Sequence, residues 1–365
     1  MAVPLFNTSG PLAAIDADIR AKVSAILDAG VYVLGPEVRA FESEFAAYTG
    51  TDHAIGVANG TDALVLALRA LGVGPGDEVI VPSFTFYASA EAIPHTGARP
   101  VFCDVDPETM LITADTVKAV MTENTKAVIA VHLFGNVAPI EEIAALGVPV
   151  VEDAAQAAGS RSPAGRPGAL GTIATFSFFP SKNLGAFGDG GAVTTDDDHL
   201  AELVRMLRFH GSRDKATFDL VGHNSRLDEL QAAVLRVQLP HLDAWSDRRR
   251  EAAAGYAEAG LGELVTLPVP VDGSEPAWHL YVIRHEHADA LAAALGEAGI
   301  GHKAYYRVPA HRQPAMREWG AGVDLPATDE VAATHLAIPI SPAMTREMVD
   351  EVVAAVRAAV SVKVS

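Results

Sequence analysis

The sequence predicts an α/β fold in which helices cover a mostly parallel sheet and a smaller α+β unit follows, and three observations carry that expectation. From His53 onward, apolar runs of strand length alternate with helical patterns, the arrangement that yields parallel strands joined by crossover helices. The chain has 365 residues, 49% of them hydrophobic, enough for one large core and a second, smaller one. Beyond about residue 245 the regular alternation gives way to one strand-like run and two helical ones.

The elements follow in order. Ile15, Ile19, Val23, Ile26 and Leu27 repeat at helical spacing until Gly30 stops them, so the chain opens with a helix packed on the main unit. His53–Val57 reads as a strand that passes through Ala58-Asn59-Gly60-Thr61-Asp62 into a helix over 63–71. Further strands are expected at 78–81, 100–103, 127–131, 148–151, 172–178 and 192–194. Residues 225–250 read as helical with an interruption near Pro240, and Ser225-Arg-Leu-Asp228 has the form of a capping-box start. The charged run from Asp247 continues as a linking helix, which sets a boundary near 245 between units 1–245 and 246–365. In the second unit, 278–284 alternates as a strand, 288–296 is helical and 347–360 is a closing amphipathic helix. No internal repeat or heptad series is visible.

Charge narrows the partners. With 27 basic against 46 acidic side chains the formal net charge is −19, a field that repels nucleic acid and anionic membranes. The apolar runs are strand-sized and the first residues lack a basic region followed by an apolar core, so a cytoplasmic protein is expected. The lone Cys103 leaves no intramolecular disulfide. His285-Glu-His287 lacks a third ligand at a recognisable spacing and reads as surface histidine rather than a metal site.

The chemistry concentrates in two segments. Lys182 ends the apolar stretch Phe176-Ser-Phe-Phe-Pro-Ser and precedes a glycine-rich turn, a setting that excludes water and lowers an amine pKa, so that this lysine can form an imine. Asp153 ends the buried-looking run Val148-Pro-Val-Val-Glu, which delivers it to the carboxyl edge of the same sheet. A lysine and a carboxylate across a ring-sized gap suit pyridoxal phosphate, with Lys182 bonded to the aldehyde carbon and Asp153 keeping the pyridine nitrogen protonated. The same two residues alone also fit a buried Lys–Asp ion pair. Gly60 and Thr61 stand where a strand turns into a helix. There, free amides and a hydroxyl can cradle a phosphate, although Asn59, Thr61 or Asp62 could simply cap the same amides.

Taken together, the motifs resemble the DegT/DnrJ-type nucleotide-sugar aminotransferases, pyridoxal-phosphate enzymes of fold-type I (aspartate aminotransferase-like). The resemblance rests on Tyr32-Val-Leu-Gly-Pro-Glu37, Ala58-Asn-Gly-Thr-Asp-Ala63, Gly76-Asp-Glu-Val-Ile-Val-Pro-Ser-Phe-Thr-Phe86, Val131-His-Leu-Phe-Gly135, Glu152-Asp-Ala-Ala-Gln156, Phe176 through Leu184, and Asn224-Ser-Arg-Leu-Asp-Glu-Leu-Gln231, in that order over nearly the whole chain. It implies a large cofactor-binding domain with a mostly parallel mixed sheet and a small C-terminal α+β domain. It further implies that Lys182 is the Schiff-base lysine, that Asp153 binds the pyridine nitrogen, that Gln156 bonds the phenolic oxygen and that Phe86 stacks on the ring. Gly60, Thr61 and Ser177 would hold the phosphate, joined by Asn224 from the neighbouring subunit of a homodimer. Taken singly, Phe86, Ser177, Gln156 and Asn224 could equally be a packing ring, a strand hydroxyl, a helix cap and a turn residue.

By the same resemblance the reaction carries an amino group, usually from L-glutamate, to a keto group of a nucleotide-linked sugar, often a dTDP-6-deoxyhexose. The run Lys182-Asn-Leu-Gly-Ala-Phe-Gly-Asp-Gly-Gly is similar to that of enzymes aminating C3, with C4 as the alternative. The anionic substrate calls for local positive charge, with Arg205, Arg208, Arg213 and Lys215, then Lys303, Arg307, His311 and Arg312, as candidates. Sugar deoxygenation, in relatives where histidine replaces the lysine, is disfavoured by Lys182. A non-catalytic regulatory protein of the same fold would be expected to lose one or more of Lys182, Asp153 and Thr61, and all three are present.

Overall fold

The computed structural model describes residues 3–361. Seven strands, β1 (His53–Val57), β2 (Glu78–Pro82), β3 (Arg99–Cys103), β4 (Thr125–Val131), β5 (Val150–Asp153), β6 (Ile173–Ser177) and β7 (Gly191–Thr195), form one sheet in the order β1-β7-β6-β5-β4-β2-β3. The pairs among β2 to β6 are parallel, whereas β7 runs antiparallel to both β1 and β6. Ile80, Val128, Ile129, Val151 and Val193 are wholly buried, because helices cover both faces and each strand can then be apolar without alternation.

Register decides where the site falls. Val131 pairs with Asp153, Asp153 with Thr175, Ser177 with Gly191, and Gly191 with Val57. With β7 inverted between them, β1 and β6 point the same way, so the carboxyl ends of β4, β5, β6 and β1 share one edge of the sheet.

The helices fix that edge from both faces. α1 (Asp16–Ala29) buries Ile19 and Ile26 and ends at Gly30, whose φ of 68° lets its N–H return to the Ile26 carbonyl. α2 (Pro36–Thr49), absent from the sequence expectations, places Phe41 and Phe45 against Phe176 and Phe178, with edge-to-face ring centroids 4.9 to 5.4 Å apart. This aromatic block anchors the strand that carries the chain to Lys182. α3 (Gly60–Ala70) is buried along nearly its whole length, from Ala63 to Ala70. α4 (Asp198–Leu207) starts on Asp197, whose carboxylate accepts the N–H groups of His199 and Leu200.

The 225–250 segment differs from its expected start. Helix α5 (Glu229–Gln238) begins four residues after Ser225, a 3-10 turn at Leu239–His241 takes up Pro240, and α6 (Leu242–Glu258) follows. No capping box forms: Ser225 Oγ instead accepts the Ala58 N–H at 3.1 Å, and Asp228 makes no side-chain cap. The buried Glu229 carboxylate leaves its own helix and accepts the N–H groups of Glu37 and Val38, each at 2.9 Å, at the start of α2.

Strands β8 (Tyr281–Arg284) and β9 (His335–Ile338) form a second, antiparallel sheet. With α6, α7 (Ala288–Glu297) and α8 (Arg346–Ser361), they enclose a separate apolar cluster including Tyr256, Ile283, Leu295, Leu336, Val352 and Val356. The first of these strands starts at Tyr281 rather than at 278, because Trp278 adopts a φ of 42° that interrupts extended backbone.

Candidate active site

A cavity of about 420 Å³ opens at the carboxyl edge of the large sheet. Lys182, Asp153, Gly60, Thr61, Phe86, Gln156 and Ser177 all line it. Asn224 does not. It is exposed and pairs with Phe209 in an isolated bridge, on a segment that also presents Phe218, Leu220 and Val221 to the surface.

Each side chain arrives by local necessity. β6 ends at Ser177, and the turn that follows is tied by the Lys182 N–H to the Phe179 carbonyl at 2.8 Å and the Ala186 N–H to the Phe178 carbonyl at 2.7 Å. The Lys182 amine makes no ion pair within 4 Å among the described residues, so the buried Lys–Asp bridge is not formed. Burial lowers its pKa from 10.5 to about 8, with the charge of Asp153 pulling the other way. Asp153 is held from behind. Its Oδ2 accepts from Ser89 Oγ at 2.7 Å, Ser89 pairs with Thr85 Oγ1 at 3.0 Å, and Oδ1 accepts the Ala155 N–H at 3.2 Å.

The helix start has the opposite character. Asn59 caps α3 by accepting the Asp62 N–H at 2.8 Å, so the capping alternative is realised for that amide. The amides of Gly60 and Thr61 have no partner in the helix, as expected of its first turn. A Cβ on Gly60 would sit 2.7 Å from Cβ of Ser177, so only glycine lets the helix end approach the strand this closely. Two amides, the Thr61 hydroxyl and the Ser177 hydroxyl then border one concavity, suited to a phosphate dianion.

Gln156 does not cap a helix. Its Oε1 accepts the Phe134 N–H at 2.7 Å, and its Nε2 donates to the Tyr306 hydroxyl at 3.1 Å. Phe86 is 53% exposed at the mouth, its ring 5.7 Å from that of Tyr306. Tyr305, Tyr306 and His279 line the cavity without having been singled out from the sequence. Burial raises the Tyr306 phenol, which stays protonated. The His279 pKa is held well below its ordinary value by burial first, then by the charges of Lys182 and Arg249.

The expected cationic residues are elsewhere. Lys182 is the only lysine or arginine lining the cavity among the described residues. Arg208 is buried against Glu42 and the Gly56 carbonyl, while Arg213 pairs with Glu202 and Asp219. Arg205 meets the His53 ring and Lys215 lies over Phe209. Arg307 pairs with Asp289, Arg312 with Asp329, and His311 Nδ1 with Ser83 Oγ at 2.6 Å. Lys303 places its amine 5.1 Å from the centroid of the cavity-lining Tyr305 ring. Among the described residues no three His, Cys, Asp or Glu are grouped to hold a metal ion, and no helix is long and apolar enough to cross a membrane.

A mixed seven-stranded sheet with a lysine, a carboxylate and a helix start meeting at its carboxyl edge is the architecture of the fold-type I pyridoxal-phosphate aminotransferases. The chain belongs to the DegT/DnrJ/EryC1/StrS aminotransferase family, whose pattern matches residues 13–357. It is 46% identical over 364 residues to the dTDP-3-amino-3,4,6-trideoxy-alpha-D-glucose transaminase of Streptomyces venezuelae, covering 97% of this chain and 95% of that one. It is also 45% identical over 361 residues to a pleiotropic regulatory protein of Geobacillus stearothermophilus, covering 97% of each. The solved structure of S. venezuelae DesV superposes with a TM-score of 0.94 at 45% identity, covering 98% of both chains. The protein is therefore a pyridoxal-phosphate-dependent sugar aminotransferase, and the uncommitted amine, the buttressed carboxylate and the glycine-built phosphate concavity fit that cofactor.

Proposed function

We propose that the protein transfers the amino group of L-glutamate to the C3 keto group of a nucleotide-linked keto-6-deoxyhexose, carried on dTDP, in amino-sugar biosynthesis. The observation that carries this reading is the meeting of Lys182 and Asp153 in one cavity without an ion pair between them, and the 3-amino product named for the S. venezuelae relative supports the position. When bound, the cofactor supplies an electron sink for the bond to the amino-bearing carbon. Lys182 would hold the cofactor through its Nζ and, when free, would move the proton off and back onto the reacting carbons. Asp153 keeps the pyridine nitrogen protonated, and Ser89 holds its carboxylate in place. Gln156 Nε2, which donates to the Tyr306 hydroxyl, has a second proton that would be offered to the phenolic oxygen, Phe86 would cover the ring, and Gly60, Thr61 and Ser177 would hold the phosphate.

Asn224 completes the phosphate site of a neighbouring copy in a homodimer with shared sites. Its exposure beside Phe218 and Val221 supports that reading. The dimer works in the cytoplasm, and each copy divides into large and small domains near residue 245. The regulatory name of the Geobacillus relative supports a second reading, a non-catalytic protein, but the retention of Lys182, Asp153 and Thr61 favours the enzyme. The test is the absorption spectrum of the protein with pyridoxal phosphate before and after L-glutamate. Conversion of the band, followed by recovery with a 3-keto nucleotide sugar, is the expected result. No band change with any amino acid would overturn the proposal.

A further inference from the structure

His279 is a buried polar group of the cavity that the roles above leave unused. It is 5% exposed and lines the cavity with Lys182, and its buried Nδ1 has no hydrogen-bond partner. The other buried polar groups of the wall are committed: Asp153 to Ser89 and Ala155, and Gln156 to Phe134 and Tyr306. An orphaned buried ring nitrogen is rare and calls for an explanation.

The backbone around it is built to hold the ring still. Ser160 Oγ accepts the Ala277 N–H at 3.0 Å, and Asn183 Nδ2 donates to the Ala277 carbonyl at 2.9 Å. Arg249 Nη1 donates to the Trp278 carbonyl at 3.1 Å. Gly135 approaches so closely that a Cβ there would lie 2.8 Å from the Trp278 nitrogen and 3.1 Å from that of His279. Trp278 itself is held at a φ of 42°, a strained conformation that persists only where the surroundings over-determine it and that clusters at functional sites. Asn183 follows Lys182 in sequence, so the lysine turn and the histidine segment are tied to each other.

We propose that His279 is a further catalytic residue, contacting the carbonyl oxygen of the keto substrate and carrying the proton that lets this oxygen leave as water. This rests on the aminotransferase reading of the same cavity. The balance is as follows: the ketone carbon loses its bond to oxygen and gains a double bond to the amine nitrogen, and both amine protons depart on the oxygen. A neutral imidazole takes one of them on the ring nitrogen that faces the substrate and passes it from that same nitrogen to the departing oxygen, so the ring ends in the tautomer in which it began. Burial first, then the charges of Lys182 and Arg249, keep the ring neutral, the form that has a lone pair to accept a proton. Lys182 then serves only the protons on carbon.

The experiment separates those two kinds of proton. With His279→Phe holoenzyme in D2O, exchange of the Cα hydrogen of L-glutamate should stay within about threefold of the parent, while release of the 2-oxo acid slows about 100-fold or more, the usual share of one acid–base group. Equal slowing of both steps, or of neither, overturns the proposal. If that variant fails to fold, His279→Asn is read the same way. Independently of turnover, 15N NMR of the ring in the aldehyde form of the holoenzyme, which 2-oxoglutarate cannot convert, should show the His279 nitrogens shifting on addition of 2-oxoglutarate. Unchanged shifts at saturation would overturn it. Absence of Cα exchange in the parent protein would overturn the aminotransferase reading itself, and this proposal with it.

Discussion

Lys182 gives the most direct quantitative test of the site. Its amine falls from 10.5 to about 8 because the cavity strips its water, an effect that the negative Asp153 only partly offsets. At pH 7 about one amine in ten is then neutral, against about one in three thousand for an ordinary lysine. At about 1.4 kcal/mol per pH unit, the folded protein bears about 3 kcal/mol for holding this proton below pH 8. Between pH 8 and 10.5 the unfolded chain still binds the proton that the folded one has released, so this contribution makes stability rise with pH across that window. Competitive acetylation of cofactor-free protein, read at Lys182 by mass spectrometry, should give a midpoint near pH 8 when folded and near 10.5 in denaturant. Asp153→Asn should move the folded midpoint lower, since it removes the one charge that favours the ammonium. A folded midpoint at 10 or above, or a rise in Asp153→Asn, would refute the desolvation argument.

Two further outcomes follow from particular contacts. Glu229→Ala leaves the Glu37 and Val38 amides at the start of α2 without their acceptor, and should cost about 2–4 kcal/mol in urea unfolding. Glu229→Gln should cost less, and a loss in Glu229→Ala within experimental error would show that the cap is not needed. Mixing Asn224→Ala and Lys182→Ala subunits should restore part of the activity that each lacks, provided mass spectrometry shows that hybrids form. Hybrids without activity would count against a shared site.

The candidate site residues legible in the sequence were those whose place in the fold is written in their neighbours along the chain. Lys182, Asp153 and Gly60 each end or follow a buried strand, and the ends of β5 and β6 need only the parallel rule to meet. β1 meets them because β7 inverts between it and β6, a detail of pairing that no local pattern carries. What stayed hidden depends on contacts made across long stretches of chain. His279 looked like part of an alternating strand, whereas it follows a Trp278 at positive φ, close against Gly135 and bonded by Arg249, and lines the cavity. Ser225 and Asp228 had the composition of a capping box, but Ser225 instead accepts the amide of Ala58 just past β1, and the neighbouring Glu229 serves α2, since a side chain answers to the nearest unpaired amide in space. The cationic candidates failed for a related reason. In a chain of net charge −19, a carboxylate is close to almost any surface arginine, and Arg208, Arg213, Arg307 and Arg312 each found one. Arg205, Lys215 and Lys303 have no carboxylate partner among the described residues, but Arg205 meets the His53 ring and Lys215 lies over Phe209, so of the three Lys303 is the one whose amine sits over a ring that lines the cavity.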